Sequence, residues 1–279
     1  MSYKSILVCL TTEANAERLT RAACFLARKF GAHIIGLHTL QAMHVHPGVA
    51  IHLTDEAVKM FRDAQSRQAE RIYDIFRQEM DRQDMTGDWK LVNADAESAG
   101  VQLVEHAHYA DLVMMSQADP EHDRGDQSDI QRQVIMGGGC PVIVIPNAGR
   151  FEDFGNKAMI GWSATREAAR AVHDAIPFLE GGEATLMWVA HSDRSADHLA
   201  ETAEAVAAGL RRHKVNVTVS HWQNTNLAIG DALLNEAFES GCDMIVSGAF
   251  GHSRFYDFVI GATTTHLLNH MTMPVLFSH

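Results

Sequence analysis

The stretch "CDMIVSGAFGHSRFYDFVIGATTTHLLNHMTMPVLFSH", Cys242–His279, decides how the rest of the chain is read. A short apolar strand leads through a glycine-bearing loop into a helical pattern, which closes on a second apolar strand. Gly248 and Gly251 lie three apart in the loop, and Gly261 stands where the helix begins. Strand, helix and strand with no two-residue hairpin turn form the unit of a parallel sheet covered by helices.

Working outward, the same ending recurs in mid-chain: "ADLVMMS" and "CPVIVIP" match "CDMIVSG" and "MPVLFSH". Before the first ending lie strand patterns at "SILVCLT", "HIIGLHTL" and "WKLVNA", separated by helical patterns at "NAERLTRAACFLARKF" and from Thr54 to Asp84. Helices at "AGVQLVEHAHY" and from Ile130 to Met136 complete this half. The second half repeats the plan with strands "KAMIGWS", "ATLMWVA" and "VNVTVSHW", and with helices at "TREAARAVHDAIPFL", Ala196 to His213 and "AIGDALLNEAFES". The pattern predicts an α/β fold of two tandem doubly wound parallel-sheet domains, each of five strands with covering helices. They span residues 1–148 and 156–279 and meet at the polar, glycine-bearing "NAGRFEDFGN", Asn147–Asn156. A single larger sheet is the alternative, which the repeat disfavours.

A formal charge of −12, from 23 Lys+Arg against 35 Asp+Glu, argues against nucleic acid or an anionic membrane as partner. Cys9, Cys24, Cys140 and Cys242 are scattered, with no Cys-x-x-Cys pair, and read as buried thiols in a reducing cytoplasm. The N-terminal "MSYKSILVCLTTEANAERL" turns polar after Leu10, too early for a signal peptide. No apolar run approaches the roughly 20 residues of a membrane helix.

Ligands of open parallel sheets bind beyond the carboxyl ends of the strands, where Gly248 and Gly251 fall. Glycine there admits a ligand close to main-chain N–H groups. The helix opening at Gly261 offers unpaired N–H donors and a partial positive charge, followed by Ala262, Thr263 and Thr264. The loop therefore reads as a phosphate cradle, or equally as a surface loop with a capped helix. It is neither a P-loop nor a dinucleotide fingerprint, because Gly-Lys-Ser/Thr is missing and the strand-to-helix distance is too long.

With these glycines, the repeat and the closing "THLLNHMTMPVLFSH", the chain resembles the universal stress proteins in their tandem form, over essentially its whole length. The resemblance implies a Rossmann-like fold of the adenine nucleotide alpha hydrolase type. It also implies ATP, or related ADP or AMP, bound with Mg2+. ATP-binding members carry glycine, two residues, glycine, nine residues, then glycine followed by serine or threonine. Gly248, Gly251 and Gly261 match, whereas Ala262 departs and leaves Thr263 and Thr264 to compensate. Where the family has an aspartate after the first strand, this chain has Ser163, next to Trp162; Val189 falls where the family contacts adenine. His252, Ser253 and Arg254 lie in the loop, within reach of phosphates. The resemblance further implies pairing of the two last strands within the chain, a possible homodimer, and a cytoplasmic sensor or regulator in stress response. The alternatives are a slow ATP hydrolase and a ligand-free scaffold for protein partners.

The first half departs from this pattern. Ser116 and Asp119 stand opposite the first two glycines, and Glu121, Asp123, Asp126 and Asp129 add carboxylates that repel a triphosphate. One nucleotide site per chain is expected, in the second half. "GGG" at Gly137–Gly139 reads as a helix end, and His44, His46 and His52 as a polar loop, with a metal site the lesser alternative. His252 and His266 are the histidines that a catalytic base near phosphate would call for, although no nucleophile accompanies them.

Overall fold

A computed structural model of the protein describes residues 2–41, 54–93, 98–122, 125–189, 193–222, 227–251 and 261–279. The first half contains β1 (Ser5–Cys9), α1 (Glu13–Phe30), β2 (His33–Leu40), α2 (Asp55–Arg82), β3 (Gly87–Asn93), α3 (Ala99–Ala107), β4 (Leu112–Ser116), α4 (Gln127–Gly137) and β5 (Val142–Ile145). The second contains β6 (Lys157–Trp162), α5 (Arg166–Leu179), β7 (Glu183–Val189), α6 (Asp193–Arg212), β8 (Asn216–Trp222), α7 (Ile229–Glu239), β9 (Met244–Gly248), α8 (Ala262–His270) and β10 (Val275–Ser278). Every element expected from periodicity is present among the described residues.

The strands form one ten-stranded sheet in the order β3-β2-β1-β4-β5-β10-β9-β6-β7-β8. Each half contributes a five-stranded parallel sheet with its first strand at the centre. The halves meet where β10 runs antiparallel to β5, with Val275 opposite Val144 and Phe277 opposite Val142. Two repeats and one larger sheet, set against each other in the sequence reading, thus coexist: pairing β5 with β10 covers two apolar strands that would otherwise be open edges.

Strands buried on both faces alternate their side chains between two cores. Ile6, Val8, Ile160 and Val246 pack beneath α1, α2, α5 and α6. Leu7, Val113, Ile245 and Phe277 pack beneath α3, α4, α7 and α8. The first core is continuous across the halves. Phe30 of α1 meets Phe178 of α5 edge-on at 5.0 Å, and Tyr3 lies 5.2 Å from Phe30. The Tyr3 hydroxyl donates to the Asp174 carbonyl.

The repeat extends to a polar device. The Asp111 carboxylate, just before β4, accepts from the backbone N–H of Lys4 at 2.7 Å and of Ser5 at 3.0 Å, where β1 begins. Asp243, just before β9, accepts from Gly155 at 2.9 Å and from Asn156 and Lys157 at 3.2 Å, where β6 begins. Asp243→Ala strips three N–H groups of their acceptor, and each such charged bond is worth roughly 1.5–3 kcal/mol when shielded and less in water. The expected loss is about 2 kcal/mol in urea denaturation. A loss below about 0.5 kcal/mol would show that water serves these groups equally well.

Candidate functional site

The chain leaves β6 into α5 on one face of the sheet and leaves β9 into α8 on the other. The carboxyl ends of these neighbouring strands therefore border a topological switch point, the place where open α/β sheets bind ligands. Gly248 and Gly251 stand at the end of β9, and Gly261 caps α8.

The three glycines do different things. At Gly248 a Cβ would lie 2.5 Å from the Ala168 nitrogen and 2.6 Å from the Glu167 carbonyl carbon, so this glycine lets the first turn of α5 close onto β9. At Gly251 a Cβ would lie 2.8 Å from Glu167 Oε2. Gly261 takes φ of 83°, a left-handed conformation suited to glycine, and lies against the Phe250 ring. It supplies no side-chain cap, and the first bond of the helix runs from Thr265 N to Gly261 O at 2.8 Å. The N–H groups of Ala262, Thr263 and Thr264 precede that bond, so the helix has no internal acceptor for them. Ala262 is exposed and Thr263 half-buried.

Side-chain direction gives each predicted site residue its own surroundings. Thr264 is buried, and its hydroxyl accepts from Phe250 N at 3.2 Å, which fastens the loop to the helix. Trp162 alternates inward with Ile160, is 8% exposed, and donates its indole N–H to Thr202 of α6 at 3.1 Å. Its ring packs in the core. Trp162 and Trp188 are opposite neighbours in the β6–β7 register, and Trp188 stacks on His221 at 3.8 Å. Ser163 is exposed, with its hydroxyl 3.2 Å from that of Thr165, the α5 cap. Val189 ends β7 opposite Trp222 and is half-buried. His266 pairs through Nε2 with Asp231 Oδ1 of α7 at 2.8 Å. That pairing commits its imidazole to the α7–α8 contact. His252, Ser253 and Arg254, like His44, His46 and His52, lie outside the described residues.

Sequence reasoning missed Glu167. It stands in the first turn of α5, where an acidic residue usually only complements the helix dipole. Its side chain is 7% exposed, with Oε1 3.0 Å from Arg166 and Oε2 towards Gly251. Burial pushes the carboxyl up, but the hydrogen bond from its own backbone N–H, the Arg166 guanidinium and the nearby His279 outweigh burial and hold it below the ordinary glutamate range. The His279 ring is itself anchored through Nδ1 to the Ala249 carbonyl at 2.9 Å.

The first-half counterpart is filled by its own side chains. Gln131 is 2% exposed and donates to the Ser116 carbonyl at 2.7 Å, and Gln127 Oε1 accepts from Asp119 N at 3.0 Å. Asp119 in turn holds Glu121 N at 3.0 Å and the His122 ring at 2.9 Å. A cavity of about 10 Å³ remains between Thr11, Ser116, Gln127 and Gln131, about one water in size. Gln117 reaches across to the Leu268 carbonyl at 2.9 Å, tying this end to the C-terminal turn of α8. Among the described residues no helix is long and apolar enough to cross a membrane, and no cluster of three or more His, Cys, Asp or Glu suited to a metal occurs.

Residues 161–279 match the profile of the universal stress protein family. No curated protein matches the sequence. Among solved structures, the chain is similar to a universal stress protein from Archaeoglobus fulgidus DSM 4304 at 15% identity, with a TM-score of 0.71 over 98% of this chain and 95% of that one. It is also similar to a functionally unknown protein from Pseudomonas aeruginosa PAO1 at 11% identity, with a TM-score of 0.57 over 99% and 92% of the respective chains. These likenesses establish the fold over the full length, and the profile match runs from the end of β6 to the last residue. The second half thus matches the universal stress protein profile, and the chain as a whole shares the fold of a solved universal stress protein.

Proposed function

We propose that the second half, residues 156–279 as a unit, binds one adenine nucleotide, ATP or its relatives ADP and AMP, together with Mg2+. The first half, residues 1–148, serves as its structural or regulatory partner. The observation that carries this reading is the start of α8. Three N–H groups without intrahelical acceptors stand beside the Gly248–Gly251 turn at the switch point, an arrangement suited to phosphate. Bound nucleotide would report a stress state in the cytoplasm through the shared ten-stranded sheet, with further association into a homodimer.

Ala262→Asp tests the reading. A carboxylate at this exposed first-turn position complements the helix dipole, so stability should hold or rise by a few tenths of a kcal/mol. The same charge repels a phosphate on those N–H groups, so ATP affinity with Mg2+ should fall at least ~10-fold in isothermal titration. Unchanged affinity would place the nucleotide elsewhere. One observation favours the ligand-free scaffold instead: the Glu167 carboxylate faces the turn that a phosphate would approach. Titration of the unaltered protein with ATP and Mg2+ separates the two readings, since the scaffold gives no heat of binding and no rise in melting temperature.

A further inference from the structure

We infer that Glu167 sets the divalent-cation dependence of nucleotide binding at the β6–β9 crevice, an inference that rests on the nucleotide reading above. Among the described residues, the Gly248–Gly251 turn and the first turn of α8 carry no carboxylate. The fold supplies one from another element. Glu167 enters from the first turn of α5, its side chain 7% exposed, with one oxygen on Arg166 and the other towards Gly251. Mg2+ is commonly held by one or two carboxylates plus substrate phosphates and waters, and needs no complete protein cage. A single inward carboxylate beside a phosphate cradle fits that chemistry.

The surrounding charges define what Glu167 does. Arg166 is 77% exposed and engages Oε1, while Ala262, Thr263 and Thr264 carry no charge of their own. Among the described residues, His279 also acts on this carboxylate, held by the Ala249 carbonyl on its Nδ1 side. A polyphosphate resting on α8 without a cation would therefore bring its negative charge towards an ionised, poorly solvated carboxylate. A cation between them turns that repulsion into two attractions. The first half shows the alternative arrangement. Matching the β1–β4 and β6–β9 registers puts Asn15 in the place of Glu167 and Asp119 in the place of Gly251, and there Gln127 and Gln131 fill the space.

The test is the ratio of ATP affinities with Mg2+ and with EDTA, measured by isothermal titration on the full chain. The unaltered protein should bind at least ~10-fold more tightly with Mg2+. Glu167→Gln keeps the shape and removes the charge, so it should bind cation-free ATP more tightly than the unaltered protein and reduce the ratio to about 2. Glu167→Asp keeps the charge and should retain a large ratio, which guards against a general effect of substitution. The same cation ratio in Glu167→Gln as in the unaltered protein overturns the role of Glu167 and leaves the nucleotide reading standing. Failure of the unaltered protein to bind ATP in either buffer overturns both.

Discussion

Gly248→Ala should lower stability by about 3 kcal/mol, at the upper end of what overpacking costs. The added methyl would lie 2.5 Å from the Ala168 nitrogen and 2.6 Å from the Glu167 carbonyl carbon. Both are backbone atoms of the first turn of α5, so no side chain can rotate away; the helix must lift from β9 or the strand must bend. The damage should be specific to the site. A methyl added at Gly209, within α6, would meet nothing within 4 Å, so Gly209→Ala serves as the control and should stabilise by up to about 1 kcal/mol through helix propensity. Urea denaturation of both variants checks the pair. A Gly248→Ala midpoint equal to that of the unaltered protein would mean that α5 does not pack this closely in solution.

Glu79→Ala should cost about 2–3 kcal/mol at neutral pH. The Glu79 side chain is fully buried on α2, where it accepts from Arg21 at 2.9 Å, Arg82 at 3.1 Å and Gln83 at 3.0 Å. Arg21 carries the network on to Glu17 at 2.6 Å and to Glu152, in the segment between the halves, at 3.5 Å. Removing the carboxylate leaves Arg21 without its buried partner. The expected cost stays below that of a fully enclosed pair because the arginines keep Glu17 and access to water. Burial pushes the Glu79 carboxyl up, yet the bonds from Arg21, Gln83 and Arg82 prevail and hold it below its ordinary value. A depressed folded-state pKa stabilises the protein above the unfolded value, about 4.3, and that contribution is lost as pH falls through the folded value. The stability gap between the unaltered protein and Glu79→Ala should therefore be constant from pH 8 to about pH 5 and narrow below about pH 4. A gap independent of pH down to the acid transition would assign the loss to packing alone.

Much of the architecture was legible from local pattern. Apolar runs such as "DLVMMS" and "PVIVIP" fall at β4 and β5, and the helical periods place α2 and α6 within a few residues of their observed limits. The Asp-led endings at Asp111 and Asp243 exposed the repeat, and the structure shows both aspartates fastening the central strand of their half. These features were readable because hydrophobic period and turn chemistry act between residues close in sequence. The glycine spacing likewise marked the end of β9 and the start of α8. It did not reveal that Gly248 serves helix packing, because that role depends on how closely α5 approaches.

The sequence alone determined two α/β repeats, ten strands with their helices, and a glycine-flanked helix start present only in the second repeat. The tertiary structure decided that the repeats share one sheet through β5 and β10, that Trp162 and Thr264 turn inward, and that Glu167 meets Gly251. The physical reason is the range of the forces. Periodicity and capping are local, whereas edge pairing, side-chain direction and the meeting of a buried carboxylate with a distant loop are fixed only when separate elements pack.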